Sequence, residues 1–174
     1  MQTFLPYKDF SLSARALDSK RLNKQILEGY QILKVLSSGD PKAAWRNHPA
    51  VKMWRGSEHS LLEYVMNMIA EANLRGIKTD KNLSNIETLV INEGIHWGDE
   101  LPAWFNDNAK MDRLTTTHKV NLYRKDPVYY AEYGQFEASK FNKPCCLNRK
   151  EPCKYYWVTH EENNETTKNI KMAS

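Results

Sequence analysis

One glutamate, Glu28, lies on a predicted helix with basic side chains one turn or more before it. Arg21, Lys24, Glu28 and Gln31 follow the spacing i, i+3, i+7, i+10, which places them on one face of a helix. Two interpretations fit this arrangement. Either the face is an exposed surface with ion pairs between neighbouring turns, or Glu28 is a catalytic carboxylate held beside cations that bind phosphates.

The helix that carries these residues is predicted from an apolar stripe on a different face. The stripe consists of Leu22, Ile26, Tyr30 and Leu33. Together with its polar face it predicts one long helix over residues 13–36. Ser11 or Ser13 is the predicted N-cap, and the glycine and proline that follow the helix are expected to end it.

Residues 42–59 combine basic, amide and aromatic side chains of the kind that contact nucleic acid. The polar members are Arg46, Asn47, His48, Lys52 and Arg55. Trp45 and Trp54 are interleaved with them, and Pro49 is predicted to open a turn of helix. Aromatic rings with cations between them suit base stacking and phosphate binding. The alternative is a loop that its two tryptophans anchor to the core while the basic side chains face water.

The remaining periodicity predicts a mostly α protein, a compact single helical domain. Further predicted helices span residues 60–76, 83–91, 104–117, 118–124 and 126–133. Leu74 is predicted to be buried on the first of these, and Asp126 to be the N-cap of the last. We predict a domain of residues 1–158 and a polar, mobile tail of residues 159–174.

The composition is that of a globular protein with a mild basic surplus. The net charge is +4, which is compatible with nucleic acid as a partner. We find no apolar run long enough to span a membrane and no signal peptide, and therefore expect a monomeric, intracellular protein in the cytoplasm of a prokaryotic or viral system.

Three cysteines raise the question of a metal site. Cys145, Cys146 and Cys153 are an odd number and are expected to be reduced thiols. With His160 they would make four zinc ligands, but adjacent cysteines in an irregular segment are an unfavourable arrangement. We therefore predict neither a metal nor a cofactor.

Three stretches, taken in order, resemble the phage-type pyrimidine-dimer DNA glycosylases with abasic-site lyase activity, the endonuclease V family. The first runs from LDSKRL at residues 17–22 to Glu28, and corresponds to a basic residue and leucine followed by the family's catalytic glutamate. The second is a helix from LEY at residues 62–64 to RGI at residues 75–77. The third is DPVYY at residues 126–130 with Tyr133 and Gly134, similar to the family's aromatic motif.

The resemblance implies a helical domain whose N-terminus is threaded between helices, and an α-amine as the nucleophile. An α-amine, with an ordinary pKa of about 7.7–8.0, is partly neutral at physiological pH. It attacks C1′ of the damaged nucleotide, displaces the base and forms an imine, after which β-elimination cuts the strand. The resemblance assigns the catalytic carboxylate to Glu28 and a DNA contact to Arg21. Its aromatic motif corresponds to Tyr129, Tyr130 and Tyr133, and Lys24 lies one turn from Glu28.

The chain departs from this family pattern at several positions. Position 2 is Gln where the family has a small residue, so we expect Met1 to remain and to carry the reactive amine. Leu27 and Ala131 stand where the family has basic residues, which leaves open which damaged or modified pyrimidine would be excised.

The residues and the family resemblance leave three functions open. The first is a DNA glycosylase that uses Met1 and Glu28 on damaged or modified duplex DNA, with Arg46, His48, Lys52 and Arg55 also contacting the DNA. The second is a non-catalytic domain whose basic residues hold phosphates. The third is an enzyme acting on a small modified nucleotide.

Overall fold

The computed structural model describes residues 1–98, 100–140 and 155–158, and within them every regular element is a helix. The mostly α fold predicted from the sequence is therefore confirmed. The contacts divide the chain into two units, Met1–Asn106 and Asp107–Ser174, which are described separately. None of the described helices has the length and apolar character that crossing a membrane requires.

The first unit begins with two helices where the sequence predicted one. Helix α1 spans Phe10–Ala16 and helix α2 spans Ser19–Ser37. The prediction of a single helix is wrong because Leu17 has extended backbone angles and Asp18 begins a new helix, its carboxylate accepting a hydrogen bond from the Arg21 N–H at 3.0 Å. The predicted serine N-caps are also wrong, since Asp9 caps α1.

Helix α2 buries three members of the predicted stripe completely, namely Leu22, Ile26 and Leu33, whereas Tyr30 is half-buried. It packs mainly against helix α4, which spans Glu58–Leu74. Gly29 permits this approach, because a Cβ atom at this position would lie 2.3 Å from Val65 Cγ2 of α4. The glycine next to Glu28 therefore sets how closely the helix carrying the carboxylate approaches α4.

Two shorter helices complete the helical part of the first unit. Helix α3 spans Pro49–Trp54 and confirms the predicted helix start at its proline, and helix α5 spans Asp80–Glu93, beginning before and ending after the predicted residues 83–91. A 3₁₀ turn follows at Ala103–Asn106. Leu74, predicted to be buried, is exposed, because it is the last residue of α4 and the chain turns away through Gly76 at φ 73°.

Arg75 ties the end of α4 to the end of α1. Its guanidinium donates hydrogen bonds to the backbone oxygens of Leu17 at 2.6 Å and Arg15 at 3.0 Å, and to the Glu71 carboxylate at 2.7 Å. Carbonyls at the end of a helix lack partners within the helix, and a cation satisfies them well. Arg75, which belongs to the second family-like stretch, thus fixes the junction from which α2 starts.

The N-terminal segment before α1 is buried between helices. Residues 2–6 are all buried, and the segment makes hydrogen bonds to side chains of α2, α3 and α4. This confirms the predicted threading of the N-terminus between helices. A chain terminus is normally mobile unless it is held in this way.

The second unit contains helix α6, Asn108–Lys125, and a 3₁₀ helix, Ala131–Phe136. The predicted break between residues 117 and 118 does not exist. Asp126 is the C-cap of α6 and not an N-cap, and its carboxylate accepts from the Tyr129 N–H at 3.0 Å within a turn. Proline after the aspartate favours this turn as well as a helix start, which explains the error.

Several predictions concern residues outside the described part of the chain. These are the reduced state of Cys145, Cys146 and Cys153, the rejected zinc site with His160, and the polar tail. The domain limits of 1–158 and 159–174 stay a prediction.

Candidate active site around Met1 and Glu28

The amino group of Met1 lies 3.9 Å from Oε1 of Glu28. The Met1 side chain is 7% exposed and that of Glu28 12%, so the pair is largely shielded from water while remaining in reach of the surface. Lys24 Nζ lies 3.9 Å from the same carboxylate oxygen, and its side chain is 67% exposed. Glu28 therefore faces two cationic groups, the amino group of the largely buried Met1 and the ammonium group of the exposed Lys24.

Gln25 connects the carboxylate to the N-terminal segment. Its Nε2 donates to Glu28 Oε2 at 3.3 Å, and its Oε1 accepts from the Phe4 N–H at 2.8 Å. Gln25 is itself buried, and a buried amide is stable only when its polar atoms are paired. One side chain thus holds both the carboxylate and the N-terminal segment that carries the amine.

Tyr64 of α4 supports Gln25 from the other side. Its hydroxyl lies 2.8 Å from Gln25 Oε1 and 3.0 Å from the Phe4 carbonyl oxygen, so its proton is donated to either acceptor. Complete burial raises the pKa of Tyr64 well above its ordinary value; the hydrogen bond to the Phe4 backbone opposes this effect and the Glu28 charge adds to it. The tyrosine therefore stays protonated and remains a donor.

Helix α3 fixes the segment at a third point. The indole N–H of Trp54 donates to Thr3 Oγ1 at 3.0 Å, and both residues are fully buried. The Trp54 ring contacts three other aromatic side chains, those of Phe10, Tyr64 and Trp104. The hydrogen bond thus attaches Thr3 to a packed aromatic cluster and not to a mobile side chain.

His48 lies within electrostatic reach of the amino terminus. Burial lowers the pKa of His48, and the positive charge on the Met1 amine lowers it further. Its Nδ1 accepts from the Ala50 N–H at 3.1 Å as the N-cap of α3, so the neutral ring carries its proton on Nε2. His48 is therefore presented as a neutral hydrogen-bond donor near the amine.

A cavity of about 370 Å³ opens beside Met1. It is lined by Met1, Gln31, Lys34, Val35 and Trp45. Its volume is at the lower end of the range for small-ligand sites. The cavity thus brings Met1 together with Gln31 and Lys34 of α2 and with Trp45 of the loop before α3.

The structure distributes the other predicted DNA-binding residues over the first unit. Arg21 is paired with Asp18, Nη1 to Oδ2, at 2.5 Å, and Arg55 donates to the Arg46 backbone oxygen at 2.8 Å. Lys52 is exposed. Nη1 of Arg46 is buried and finds no hydrogen-bond partner among the described residues.

The predicted tyrosines lie in the second unit and differ in exposure. Tyr130 and Tyr133 are buried with their rings stacked 5.7 Å apart, while Tyr129 is exposed and packs edge-on at 4.8 Å against Tyr130. Lys119 Nζ lies 4.6 Å from the centre of the Phe136 ring. Among the three, Tyr129 alone presents most of its ring to solvent.

Sequence reasoning missed Gln25 and Tyr64, and with them the reason the amine is held in place. One signal existed for Gln25, because it is a polar residue between Leu22 and Gly29 on the side of α2 that faces the core. Tyr64 lies in the second family-like stretch, but its hydrogen bonds were not foreseen, since a tyrosine among apolar residues on a helix is ordinarily a core residue. Of the two tryptophans, the structure buries Trp54 and exposes Trp45, so only one anchors the loop.

The chain was compared with protein families, curated proteins and solved structures. The family model described as pyrimidine dimer DNA glycosylase matches residues 1–85. No curated protein and no solved structure matches the chain. The matched range contains Met1, Gln25, Glu28 and Tyr64, and the match supports the resemblance recognised from the sequence.

Proposed function

We propose that this chain, whose residues 1–85 match the family model of the pyrimidine dimer DNA glycosylases, excises a damaged or modified pyrimidine from duplex DNA and then cuts the strand as an abasic-site lyase. The nucleophile in this proposal is the Met1 amine, and Glu28 is the catalytic carboxylate. The observation that carries it is the 3.9 Å distance between these two groups.

The chemistry follows from what a neutral amine does at a sugar carbon. The nitrogen attacks C1′, and the glycosidic bond breaks with its electron pair leaving on the base, which takes up a proton. The sugar ring opens to give a protonated imine between the amine and C1′. Loss of the C2′ proton then expels the 3′ phosphate, and water hydrolyses the imine to regenerate the amine.

Glu28 serves this sequence through its charge and its lone pairs. A carboxylate beside the nitrogen stabilises the positive charge that develops on the sugar and on the imine. The same oxygen can accept the proton that the amine must lose before it attacks and after it has formed its bond to carbon. Lys24, on the exposed side of the carboxylate, is suited to a phosphate of the bound strand.

The buried hydrogen bonds of the N-terminal segment keep the nucleophile in one place. Phe4 is held by Gln25 and Tyr64, and Thr3 is held by Trp54. A terminal amine would otherwise lose much of its reactivity to the entropy of a mobile chain end. The fold therefore supplies the positioning that a side-chain nucleophile receives from its own backbone.

The DNA-binding residues in this proposal are Arg21, Lys24, Arg46, His48, Lys52, Arg55, Tyr129, Tyr130 and Tyr133. The exposed lysines among them neutralise phosphates, so binding should weaken as salt increases. The buried tyrosines support Tyr129, which is the exposed ring of the set. Arg46 is half-buried, and its Nη1 has no hydrogen-bond partner among the described residues, so movement of this side chain towards a bound phosphate would give that donor a partner.

Borohydride trapping tests the proposal. Duplex DNA with one abasic site is incubated with the protein and sodium borohydride, which reduces an imine to a stable amine. We expect a covalent adduct that peptide mapping assigns to residue 1 and that is lost when the α-amine is acetylated. A protein left unacetylated but carried through the same buffers is the control.

Three other outcomes would contradict the proposal in whole or in part. Binding that weakens with salt but yields no adduct would favour a non-catalytic nucleic-acid-binding domain with the same basic residues. An adduct mapped to a lysine would keep the lyase activity but remove Met1 from the mechanism. Neither binding nor adduct would favour an enzyme acting on small nucleotides.

A further inference from the structure

Gln25 is a buried side chain of α2 whose neighbours allow its amide only one orientation. The backbone N–H of Phe4 lies 2.8 Å from one end of the amide, and a backbone N–H can only donate. The Glu28 carboxylate lies 3.3 Å from the other end, and an ionised carboxylate can only accept. The amide oxygen must therefore face Phe4, and the amide N–H must face Glu28.

This environment explains why position 25 holds a glutamine. A glutamate there could accept from the Phe4 N–H, but it would place a second carboxylate against Glu28. A methionine of similar length could bond to neither group. The Tyr64 hydroxyl, 2.8 Å from the amide oxygen, is a further donor on the same side and favours the same orientation.

The hydrogen bond from Gln25 reaches one of the two Glu28 oxygens. Oε2 accepts from the amide, whereas Oε1 lies 3.9 Å from the Met1 nitrogen. The last torsion of a glutamate is weakly restricted, so a carboxylate without a fixed partner samples orientations in which neither oxygen faces the amine. Proton transfer across 3.9 Å needs a bridging water or a small movement of the terminal residue, and both require an acceptor oxygen that stays in place.

We propose that Gln25 is a positioning residue of the reaction, which anchors Oε2 of Glu28 so that Oε1 faces the Met1 amine and takes the proton that its nitrogen loses. The inference rests on the proposed function, because it takes Glu28 as the proton acceptor. The charged and titratable groups that face this carboxylate are the Met1 amine, Lys24 of α2 and Tyr64 of α4. Gln25 adds an uncharged donor, which orients the carboxylate without competing for the proton.

A double-mutant cycle with Glu28 tests whether Gln25 acts through the carboxylate. Gln25→Glu keeps an oxygen for the Phe4 N–H but replaces the donor to Glu28 with a second acceptor. We expect the single-turnover rate of abasic-site cleavage to fall by about 10- to 100-fold, the effect of losing one hydrogen bond to a charged group, while the Kd for DNA changes by less than about three-fold. In the Glu28→Gln protein the same change should alter the remaining rate by less than about three-fold, because the carboxylate on which it acts is absent.

Urea unfolding gives a second measurement, which does not depend on catalysis. At pH 7, Gln25→Glu brings two carboxylates together in a buried place and should lower the urea concentration at the midpoint. Adding Glu28→Gln should raise that midpoint again, because the introduced amide can donate to the introduced carboxylate. Asn23→Asp, which makes the same charge change at an exposed position of α2, is the matched control and should change neither rate nor midpoint by much.

A further variant keeps the cycle usable if Gln25→Glu is too unstable to assay. Gln25→Met takes its place, and because it also releases the Phe4 N–H it should slow both proteins. The loss should be at least about ten-fold larger in the protein that has Glu28 than in the Glu28→Gln protein.

Several results would overturn the positioning role. These are a wild-type rate in Gln25→Glu, equal losses with and without the Glu28 carboxylate, and a double variant that unfolds at no higher urea than Gln25→Glu alone. Equal losses would show that Gln25 acts by holding the N-terminal segment and not through Glu28. A wild-type protein that forms no adduct at residue 1 would reject the proposed function and this role with it, whereas an adduct together with equal losses would reject this role alone.

Discussion

The buried polar side chains of the two units make different kinds of hydrogen bond. In the unit Met1–Asn106, Gln25, Tyr64 and Trp54 bind the N-terminal segment, and the partners are between 21 and 60 residues apart in the sequence. In the unit Asp107–Ser174, Thr117 and Asn121 donate to carbonyl oxygens one turn earlier on their own helix. The first unit uses buried polarity to hold distant elements together, whereas these bonds of the second stay within α6.

This difference indicates which unit can hold two reactive groups close together. A bond within one helix stabilises that helix but fixes no second group, while bonds between elements place the Met1 amine against the Glu28 carboxylate. The family match at residues 1–85 falls on the unit with the long-range bonds. If the first unit needs these hydrogen bonds for activity, changes near them should reduce activity. Changes to a buried polar residue of the second unit should affect stability alone.

Replacement of the carboxylate should have the largest effect. In the proposed mechanism Glu28→Gln removes the charge that stabilises the imine, so we expect cleavage of abasic-site DNA to fall by about 10²- to 10⁴-fold in single-turnover assays while the Kd for DNA stays within a few-fold. Glu63→Gln, an exposed glutamate on α4, is the matched control and should behave as wild type. Unchanged cleavage in Glu28→Gln would remove Glu28 from the mechanism.

The close approach of α2 and α4 should be the next most sensitive feature. Gly29→Ala places a methyl group 2.3 Å from Val65 Cγ2, so either the Val65 side chain or the two helices must shift, and we expect the free energy of unfolding to fall by about 1–3 kcal/mol. Because Gly29 adjoins Glu28, the trapping rate should fall even at a temperature where the variant is folded. Asn23→Ala, at an exposed position of α2, should change neither quantity by much. A Gly29→Ala protein with normal stability would show that the helix contact is not tight.

Buried polarity in the second unit should appear in the pH dependence of stability. Burial lowers the pKa of His118 to about 3, against 6.5 for an exposed histidine. Below pH 6.5 the unfolded chain binds a proton that the folded chain does not, so this contribution is complete above pH 6.5 and is lost as the pH falls towards 3. We expect His118 alone to account for about 2 kcal/mol of the stability lost between pH 7 and pH 5.

Urea unfolding of wild type and His118→Gln at both pH values isolates this contribution. The variant should lose about 2 kcal/mol less than wild type over the same interval, whatever its stability at pH 7. Equal losses would show that His118 binds its proton in the folded protein. Trapping with abasic-site DNA at pH 7 should be little changed in the variant, in contrast to Glu28→Gln.

The sequence predicted the helices better than their ends. Periodic apolar residues identified the helical segments that became α2, α4 and α5, because burial of one helix face leaves a regular trace in the sequence. The break at Leu17 and Asp18 was not visible, since both residues also fit a continuing helix. The turn after Asp126 was missed for a related reason, because aspartate followed by proline suits a turn and a helix start equally.

The sequence likewise predicted only part of the site. Glu28 stood out because a carboxylate and cations shared one face, and the resemblance supplied the amine. Gln25 and Tyr64 acquire their roles only when residues 21 and 60 positions from Phe4 meet, and such long-range contacts have no periodic signature. Trp45 could not be distinguished from Trp54 by sequence, since burial of one and exposure of the other depend on where α3 packs.

The smallest expected effect has the opposite sign and concerns the strain at Trp45. Trp45→Gly should stabilise the protein by about 0.5–1 kcal/mol, because glycine adopts φ 73° without steric conflict, although its greater freedom in the unfolded chain offsets part of the gain. Trp45→Ala keeps a Cβ in the strained conformation and should show little or no such gain. Urea unfolding of wild type and both variants measures these differences. A destabilised glycine variant would mean that the ring contributes more to folding, through its contact with His48, than the strained backbone costs.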